Sequence, residues 1–431
     1  MSESGNKALP PPADMPQVVE HLFRREWGKM VATLTRIFGF ERLELAEDVV
    51  QEALVKALQT WPYYGVPENP AAWIMRVSRN LALDQARREK TFRNKEAEIA
   101  VFFEQQTSGD PAFSHEINDD RLRMIFVCCH PQVPLEAQVA LALRTLCGFS
   151  VAEIASAYLS TEAAIAKRLT RAKRRIRAER IAFEIPTGKE LTARLNGVLQ
   201  TLYLLFNEGY KASVGDRLIR EELCHEAIRL TELLAGHAAG NRPRTHALLS
   251  MMCLNGARLP ARMDSDGNIL RLKEQDRSRW DGPMIARGMF HLAQSASGIE
   301  VSEYHLQASI AACHCAARDY EATDWRQILK LYDRLVELDD SPVVALNRAV
   351  AVANVKGPTA GIKAVESIRG HREMQSYYLF YAVLGEFEAR LDRPQAAAGY
   401  FRQALNQTEL TSEQQFLSKR LRECEIASLS S

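Results

Sequence analysis

The chain has 431 residues, 46% of them hydrophobic and 25% charged, and its 55 basic and 54 acidic side chains give a formal net charge of +1. These values are typical of an ordinary globular protein in water. They exclude a general polycation, and no uninterrupted apolar run is long enough to cross a bilayer. The length predicts two to four domains instead of a single core.

The N-terminal segment and the cysteines bear on location and metal content. Residues 1–16 carry small polar side chains and three consecutive prolines, without the apolar core of a signal peptide, so they predict a disordered tail and a cytoplasmic protein. The eight cysteines lack the spacing of a disulfide scaffold. The clusters Cys128-Cys129-His130 and Cys313-His314-Cys315 are poorly spaced to place several sulfurs around one zinc ion. We expect buried cysteines on helices, and neither metal nor cofactor.

The chain is predicted to be all-α, because no run of alternating β-branched residues occurs and glycine and proline cluster at boundaries. The first helical block spans residues 17–93. One of its helices, over 46–58, carries acidic and apolar side chains on one face by i, i+3, i+4 and i+7 spacing, as a protein-docking helix would. This docking face consists of Asp48, Gln51, Glu52 and Val55.

An aromatic loop and a basic helix follow. The loop, residues 61–65, presents Tyr63 and Tyr64, and Pro70 opens the next helix. Basic groups beside exposed rings favour single-stranded DNA, since rings stack on unpaired bases while arginines hold phosphates. A solvated face with core aromatics is the alternative, and we prefer it for Trp73. The helix is predicted to bury Ile74, Val77 and Leu81 and to present Arg76, Arg79, Asn80 and Arg87.

Residues 94–119 are polar and predict a linker before a second helical block over 120–180. Within this block, Ser150 and Glu153 fit a capping box, and Thr161 can cap a second helix. Residues 161–180 hold eight Lys or Arg against two Glu. A helix that packs by one side and offers cations on the other suits DNA contact, whereas a merely solvated basic face is the alternative. The predicted buried side comprises Ile165, Leu169, Ala172 and Ile176, and the basic face comprises Lys167, Arg168, Arg171, Arg174 and Arg175.

After an interruption at 183–188, a long helical region continues to the C-terminus. Its end has tetratricopeptide-like spacing, with a turn at 392–394 between two helices. Glu388 replaces the expected aromatic residue, and the usual closing proline is missing after Asn406. The pattern still predicts a helical solenoid of undetermined repeat number. The matching positions are Leu384, Gly385, Ala397, Phe401 and Ala404.

Three of these segments, in this order, resemble regions 2 and 4 of the extracytoplasmic-function sigma factors of bacterial RNA polymerase. They are AEDVVQEA at 46–53, PAAWIMRVSRNLALDQARR at 70–88, and the helix-turn-helix ending AKRLTRAKRRIR at 166–177. The resemblance implies that Asp48, Gln51 and Glu52 dock on the β′ clamp helices of the core enzyme. It implies a role at the minus-ten element for Arg76, Arg79, Asn80, Asp84 and Arg87, and a role at the minus-thirty-five element for Lys167, Arg168 and Arg171.

The rest of the chain is similar to one subgroup of these factors, which carries a C-terminal tetratricopeptide-like extension thought to govern activity. The similar segments are 128–144, 205–210, 274–281 and 341–353. The implied domains are a tail (1–16), region 2 (17–93), a linker (94–119), region 4 (120–182) and the extension (183–431). Small residues at Ala163, Ala164 and Ala166 depart from the larger polar ones of many members and imply few base contacts.

A set of polar and aromatic residues in the extension is a candidate site for an unknown protein or ligand. Asp276 and Arg277 could instead tie helices together while Trp280 fills a core. We predict a sigma factor that is not an enzyme and binds core polymerase and promoter DNA. A tetratricopeptide interaction protein with an incidental DNA-binding module, or an enzyme using Glu208, Asp276 and His314, are the alternatives. The candidate set is Asn207, Glu208, Tyr210, Gln275, Asp276, Arg277 and Trp280.

Overall fold

A computed structural model describes residues 15–88, 119–179, 188–212, 219–238, 240–265 and 267–429. These residues form helices, short 3-10 turns and one isolated β-bridge between Met263 and Ile269, so the all-α prediction is confirmed. They group into two compact units, the first up to Thr201 and the second from Leu202, with the residues around His237 grouped with the first. In these ranges no helix is long and apolar enough to cross a membrane.

The first unit consists of short helices joined by capped turns. The predicted linker up to residue 118 and the break at 183–187 lie outside the described residues, as does the predicted tail up to residue 14. The last helix continues past Thr201 into the second unit. The helices are α1 (Met15–Phe38), α2 (Leu43–Tyr64), α3 (Pro70–Arg88), α4 (Asp120–Cys128), α5 (Leu135–Leu146), α6 (Val151–Ala157), α7 (Glu162–Ala178) and α8 (Gly188–Tyr210).

The helix-turn-helix of α6 and α7 forms as its caps predict. The Ser150 hydroxyl accepts from the Glu153 amide while the Glu153 carboxylate accepts from the Ser150 amide, and the Thr161 hydroxyl accepts from the Ala164 amide. These side chains satisfy helix-end amides that otherwise have no partner within the helix. The predicted inner side of α7 is confirmed, with Ile165, Leu169, Ala172 and Ile176 all buried.

The predicted aromatic loop at 61–65 is wrong, because Tyr63 and Tyr64 form the last turn of α2. Pro62 lies inside the helix near its end, where it costs one amide hydrogen bond and does not stop the chain from turning. The helix ends at Gly65, whose φ of +83° is readily adopted only by glycine. The Gly65 amide still donates to the Trp61 carbonyl at 2.9 Å.

The second unit is a succession of neighbouring helices that pack mainly on the next one along the chain. Their bounds, after the end of α8, are α9 (Glu221–Gly236), α10 (Pro243–Gly256), α11 (Gly282–Ser295), α12 (Glu303–Ala316), α13 (Trp325–Leu338), α14 (Pro342–Lys356), α15 (Pro358–Glu366), α16 (Arg372–Gln375), α17 (Tyr378–Ala389), α18 (Pro394–Leu405) and α19 (Thr411–Leu429).

The hairpin of α17 and α18 packs by the residues that the repeat pattern singles out. Leu384, Ala397, Phe401 and Ala404 are buried. A Cβ atom on Gly385 would lie 2.9 Å from the Phe401 ring, so the small residue permits the close approach of the two helices. The helical hairpin is therefore present, while its assignment as a tetratricopeptide repeat stays a prediction.

Candidate nucleic-acid interface

The basic face of α7 is largely open to solvent. Lys167, Arg171, Arg174 and Arg175 are exposed, above a buried apolar side. Arg168 differs, because it is half-buried, pairs with Glu136 at 2.6 Å and lies 5.4 Å from the centre of the Tyr158 ring. We conclude that Arg168 holds α7 against α5 and α6. Arg175 pairs with Glu179 at 3.4 Å, which leaves Lys167, Arg171 and Arg174 for an anionic partner.

On α3, three of the predicted contact residues are exposed, namely Arg76, Asn80 and Asp84. Arg79 is half-buried, and the Arg87 side chain lies outside the described residues. Of the predicted stripe, Ile74 is fully buried whereas Val77 and Leu81 are half-buried. The helix thus offers polar groups to solvent along one side.

Aromatic residues near the start of α3 differ in their surroundings. The Trp73 ring meets the buried Trp61 edge to face at 5.5 Å, which agrees with a packing role for Trp73. Tyr63 and Tyr64 are 84% and 86% exposed at the end of α2. Large rings this open make no core contribution, so they are free to stack on another molecule.

The docking face on α2 is exposed along its whole length. Asp48, Gln51, Glu52 and Val55 all reach solvent, and Leu58 extends the apolar part by another turn. Within the face, Glu52 makes one exposed ion pair with Lys56 at 3.2 Å. Because exposed ion pairs contribute little to stability, Glu52 can readily exchange Lys56 for a cation of a binding partner.

Two cations of α7 that the sequence did not single out face α2. The Lys173 ammonium lies 2.8 Å from a Glu47 carboxylate oxygen, and the Thr145 hydroxyl donates to the other oxygen at 3.3 Å. One turn further on, Arg177 pairs with Glu44. The helix of the docking face is thus tied to the basic helix within the first unit.

Packing of α1 on α4 and α5 reinforces this association. The Trp27 indole donates to the Thr145 carbonyl at 2.9 Å in a buried bond, and Arg36 pairs with Asp120 at 3.1 Å. A Cβ atom on Gly28 would lie 2.0 Å from the Leu146 carbonyl oxygen, so the backbones touch there. Both the ion pairs and this close packing must break before α2 and α7 can separate.

The start of α8 also belongs to the first unit. The Arg194 guanidinium donates to the Phe126 carbonyl at 3.2 Å. A Cβ atom on Gly197 would lie 2.6 Å from the Gln138 side-chain oxygen and 2.9 Å from the Cys129 sulfur. The helix that leads into the second unit is therefore packed directly on α4 and α5.

The candidate set in the extension lies on the end of α8 and in a long loop. Glu208 is buried and pairs with Arg220 at 2.9 Å. Tyr210 is stacked on Phe206, and the Arg262 guanidinium lies 3.8 Å from the centre of its ring. Asn207 hydrogen-bonds Tyr203. These three residues therefore contact other side chains within the second unit.

The loop residues of the candidate set include both exposed and buried side chains. Asp276 is exposed and accepts from the Ser278 amide, and these hydrogen bonds lower the pKa of its carboxyl group. Arg277 donates to the carbonyls of His314 and Ala317 at the end of α12. Trp280 is buried, and Gln275 donates to the Leu270 carbonyl at 3.1 Å.

Neither cysteine cluster belongs to a group of side chains that could hold a metal ion in the described ranges. Cys128 and Cys129 are buried at the end of α4, and burial raises the pKa of Cys129 to about 12. Burial likewise raises the pKa of Cys315 to about 11. Thiols held in the protonated form are poor metal ligands and nucleophiles. In the described ranges no three His, Cys, Asp or Glu residues are placed to hold a metal ion.

Comparisons with known proteins match three separate segments of the chain. Residues 22–92 match the Sigma-70 region 2 family and residues 123–176 match the Sigma-70 region 4 family. Residues 194–296 match a family of unknown function, DUF6596. The region 2 match therefore covers the docking face and α3, and the region 4 match covers the helix-turn-helix.

Two relatives extend this result. An uncharacterized protein of Rhizobium meliloti, R00370, is 38% identical over 385 residues, which cover 89% of this chain and 90% of the relative. The ECF RNA polymerase sigma factor SigL of Mycobacterium tuberculosis is 33% identical over 133 residues, 31% of this chain and 72% of that protein. No solved structure matches the chain. The chain therefore belongs to the extracytoplasmic-function family of RNA polymerase sigma factors through its regions 2 and 4, and continues into a DUF6596 domain.

Proposed function

We propose that this sigma factor binds core RNA polymerase through the docking face, opens a two-part promoter, and is controlled by its own C-terminal extension. The observation that carries the proposal is the exposed docking face on α2. A row of acidic and apolar side chains with no packing role in its own unit is expected where a partner supplies the missing contacts. The assignment of that partner surface to the β′ clamp helices comes from the family resemblance.

The promoter contacts follow from two different surfaces. On α3, exposed Arg76 and Asn80 beside the projecting rings of Tyr63 and Tyr64 combine cations with stacking platforms, which suits unpaired bases of the minus-ten element. On α7, exposed Lys167, Arg171 and Arg174 offer charge without rings, which suits duplex phosphates at the minus-thirty-five element. The small residues at the start of α7 favour few base contacts there.

Promoter binding in two places requires α2 and α7 to separate. The pairs Glu47–Lys173 and Glu44–Arg177 engage cations of the duplex-binding helix with carboxylates of region 2. The docking face lies on the same helix as Glu47. Binding of core polymerase to this face therefore competes with the two ion pairs. Binding of the core enzyme and of the duplex would then support each other thermodynamically.

Control by the extension is supported by α8. The helix packs on region 4 through Arg194 and Gly197 and continues into the second unit. A conformational change in the extension can therefore alter region 4 without a separate protein. Two of the three residues weighed for an enzymatic role have structural contacts: Glu208 pairs with Arg220, and Asp276 caps a 3-10 turn. We therefore assign regulation, and not catalysis, to this half.

Run-off transcription with purified core polymerase tests the proposal. The full chain should direct promoter-specific transcripts, and a variant ending after Thr201 should keep a folded first unit but change transcript yield strongly. The sigma assignment fails if the full chain supports no promoter-dependent transcript with the core enzyme of its own host. Control by the extension fails separately if the truncated protein, shown by circular dichroism to be helical, matches the full-length yield.

A further inference from the structure

The loop between α10 and α11 is an ordered element of its own. Its ends are joined by the Asp281 amide, which donates to the Ala257 carbonyl at 2.9 Å. Inside it, the bridge between Met263 and Ile269 and three 3-10 turns of the described residues give the backbone a defined path. A connection this long without a helix is uncommon in a compact domain unless it serves a function.

Several arginines in the second unit are matched by carboxylates. Arg220 pairs with Glu208, Arg244 with Glu303, Arg287 with Glu232 and Arg348 with Asp333, at distances from 2.5 to 2.9 Å. Such pairing is expected, because a guanidinium that is partly removed from water needs compensation by an acceptor.

Arg258, at the start of the loop, lacks this compensation. It is half-buried, and no carboxylate or hydrogen-bond acceptor contacts its guanidinium among the described residues. Its guanidinium carbon lies 5.4 Å from the centre of the Trp280 ring, and that of Arg277 lies 4.8 Å from the same ring. Two cations therefore share one aromatic ring, and Arg277 also interacts electrostatically with the carboxylates of Asp319 and Glu321.

Two buried polar groups near Arg258 also lack hydrogen-bond partners among the described residues. Trp280 is 7% exposed and its Nε1 atom has no hydrogen-bond partner among the described residues, and the same holds for the buried Nδ1 atom of His314. Burial, and then the charges of Arg258 and Arg277, lower the pKa of His314 to about 3, so the imidazole is neutral at pH 7. Buried polar atoms without partners are rare enough in native proteins to need an explanation.

We propose that Arg258, with Arg277 and Trp280 beside it, is the binding site for the oxyanion group of a small molecule, a carboxylate or a phosphate. The terminal nitrogens of Arg258 reach solvent, since only its Nε atom is buried. A guanidinium presents parallel donors that match two oxygens of such a group. The face of Trp280 holds the guanidinium planes in place, and the added negative charge offsets the repulsion between the two cations.

Calorimetric titration of the full-length protein tests this site, without polymerase or DNA. Inorganic phosphate and acetate are titrated separately at constant ionic strength, with chloride as the balancing anion, and saturable binding of at least one is expected. Arg258→Ala should weaken this binding at least about tenfold, the loss expected for a charge-assisted hydrogen bond. Arg258→Lys should retain part of it. Phosphate alone would point to a phosphorylated ligand and acetate alone to a carboxylate.

Arg279→Ala is the matched control, because Arg279 is an exposed arginine of the same loop. It should bind the anions as the unchanged protein does. A second readout is the indole resonance of Trp280, assigned with Trp280→Phe, which should shift on titration. The site is refuted if neither anion binds saturably up to about 20 mM, an upper bound for a useful affinity, or if Arg258→Ala and Arg279→Ala bind equally. Neither result bears on the sigma activity, which is assayed by transcription.

Discussion

Cations on the exposed face of α7 and paired arginines in the second unit are used in opposite ways. On α7, Lys167, Arg171 and Arg174 stand in solvent above a buried apolar side. In the second unit, arginines such as Arg220 and Arg348 are matched with carboxylates at hydrogen-bond distance. A solvated cation changes the stability of the fold little and can bind an external anion. A buried cation is already paired with a carboxylate of the protein.

This contrast explains how a chain with a net charge of +1 can bind DNA. Positive side chains are neutralised by ion pairs where the chain packs on itself. They stay in solvent on the surface that we propose for DNA. The local arrangement, and not the total, decides which surface attracts phosphate.

The largest effect is expected in the second unit, at the buried pair of Glu208 and Arg220. Arg220→Ala removes the guanidinium that pairs with the buried Glu208 carboxylate and should destabilise the unit by about 3–5 kcal/mol. Urea unfolding followed by circular dichroism measures this loss. Arg229→Ala, which removes a more exposed pair with Glu226, should cost less than about 1 kcal/mol. Equal unfolding midpoints for the two variants would show that burial does not separate the two classes of cation.

A smaller but still large effect is expected on the docking face. Reversing both charges with Asp48→Arg and Glu52→Arg should weaken binding to core polymerase at least about tenfold, because like charges then oppose the complementary surface. Both positions are exposed, so the fold should be retained. Fluorescence titration with core enzyme provides the measurement.

The control for this variant reverses the same number of charges elsewhere, at exposed Glu68 and Glu162. Affinity for the core enzyme should change little in that protein. If both double variants bind core polymerase as the unchanged chain does, the acidic row on α2 has no part in the complex.

For duplex DNA we expect a change of about five- to tenfold from one cation. Arg171→Ala removes one exposed positive charge from α7, so affinity for the upstream duplex should fall and the slope of log affinity against log salt should decrease by about 0.9. Fluorescence anisotropy at several salt concentrations measures both values. Arg326→Ala, an exposed arginine on α13, serves as the matched control.

Asn80→Ala tests whether α3 and α7 have different tasks. It should leave duplex binding largely intact and reduce promoter opening, measured by permanganate reactivity of unpaired thymines. A variant at Asn80 that loses only duplex affinity would contradict the division between the two helices.

Local patterns predicted most of the helix-turn-helix. The caps at Ser150 and Thr161 and the buried side of α7 depend only on residues within about one or two turns, and such spacing is visible in the sequence. The same logic failed at Tyr63 and Tyr64. The predicted aromatic loop is instead the last turn of α2, because Pro62 near the end of the helix costs only one hydrogen bond.

Contacts between distant residues were beyond sequence reasoning. Glu47 and Lys173 are 126 positions apart, and Lys173 was read as one more basic residue of a charged helix. Its place between the buried side and the exposed face of α7 is a signal that it borders a neighbour, but nothing in the sequence names Glu47 as that neighbour. The absence of a carboxylate partner for Arg258 among the described residues is equally invisible in the sequence, since pairing is decided by which carboxylates the fold brings near.

The smallest predicted effect concerns this long-range pair. Glu47→Gln keeps the size of the side chain and removes the charge that holds Lys173, so α2 and α7 should separate more readily. A partly buried ion pair of up to about 1 kcal/mol corresponds to at most about a fivefold gain in affinity for upstream duplex DNA. Glu52→Gln, on the same helix but exposed, should leave duplex affinity unchanged. Lys173→Gln then distinguishes two roles for the cation. If Lys173 only ties α7 to α2, its removal should raise duplex affinity as Glu47→Gln does, whereas a fall would mean that the freed ammonium binds phosphate itself. Equal affinity of Glu47→Gln and Glu52→Gln would show that the pair places no restraint on the basic helix, and the opening step would then have to be assigned to the packing of Trp27 and Gly28 on α5.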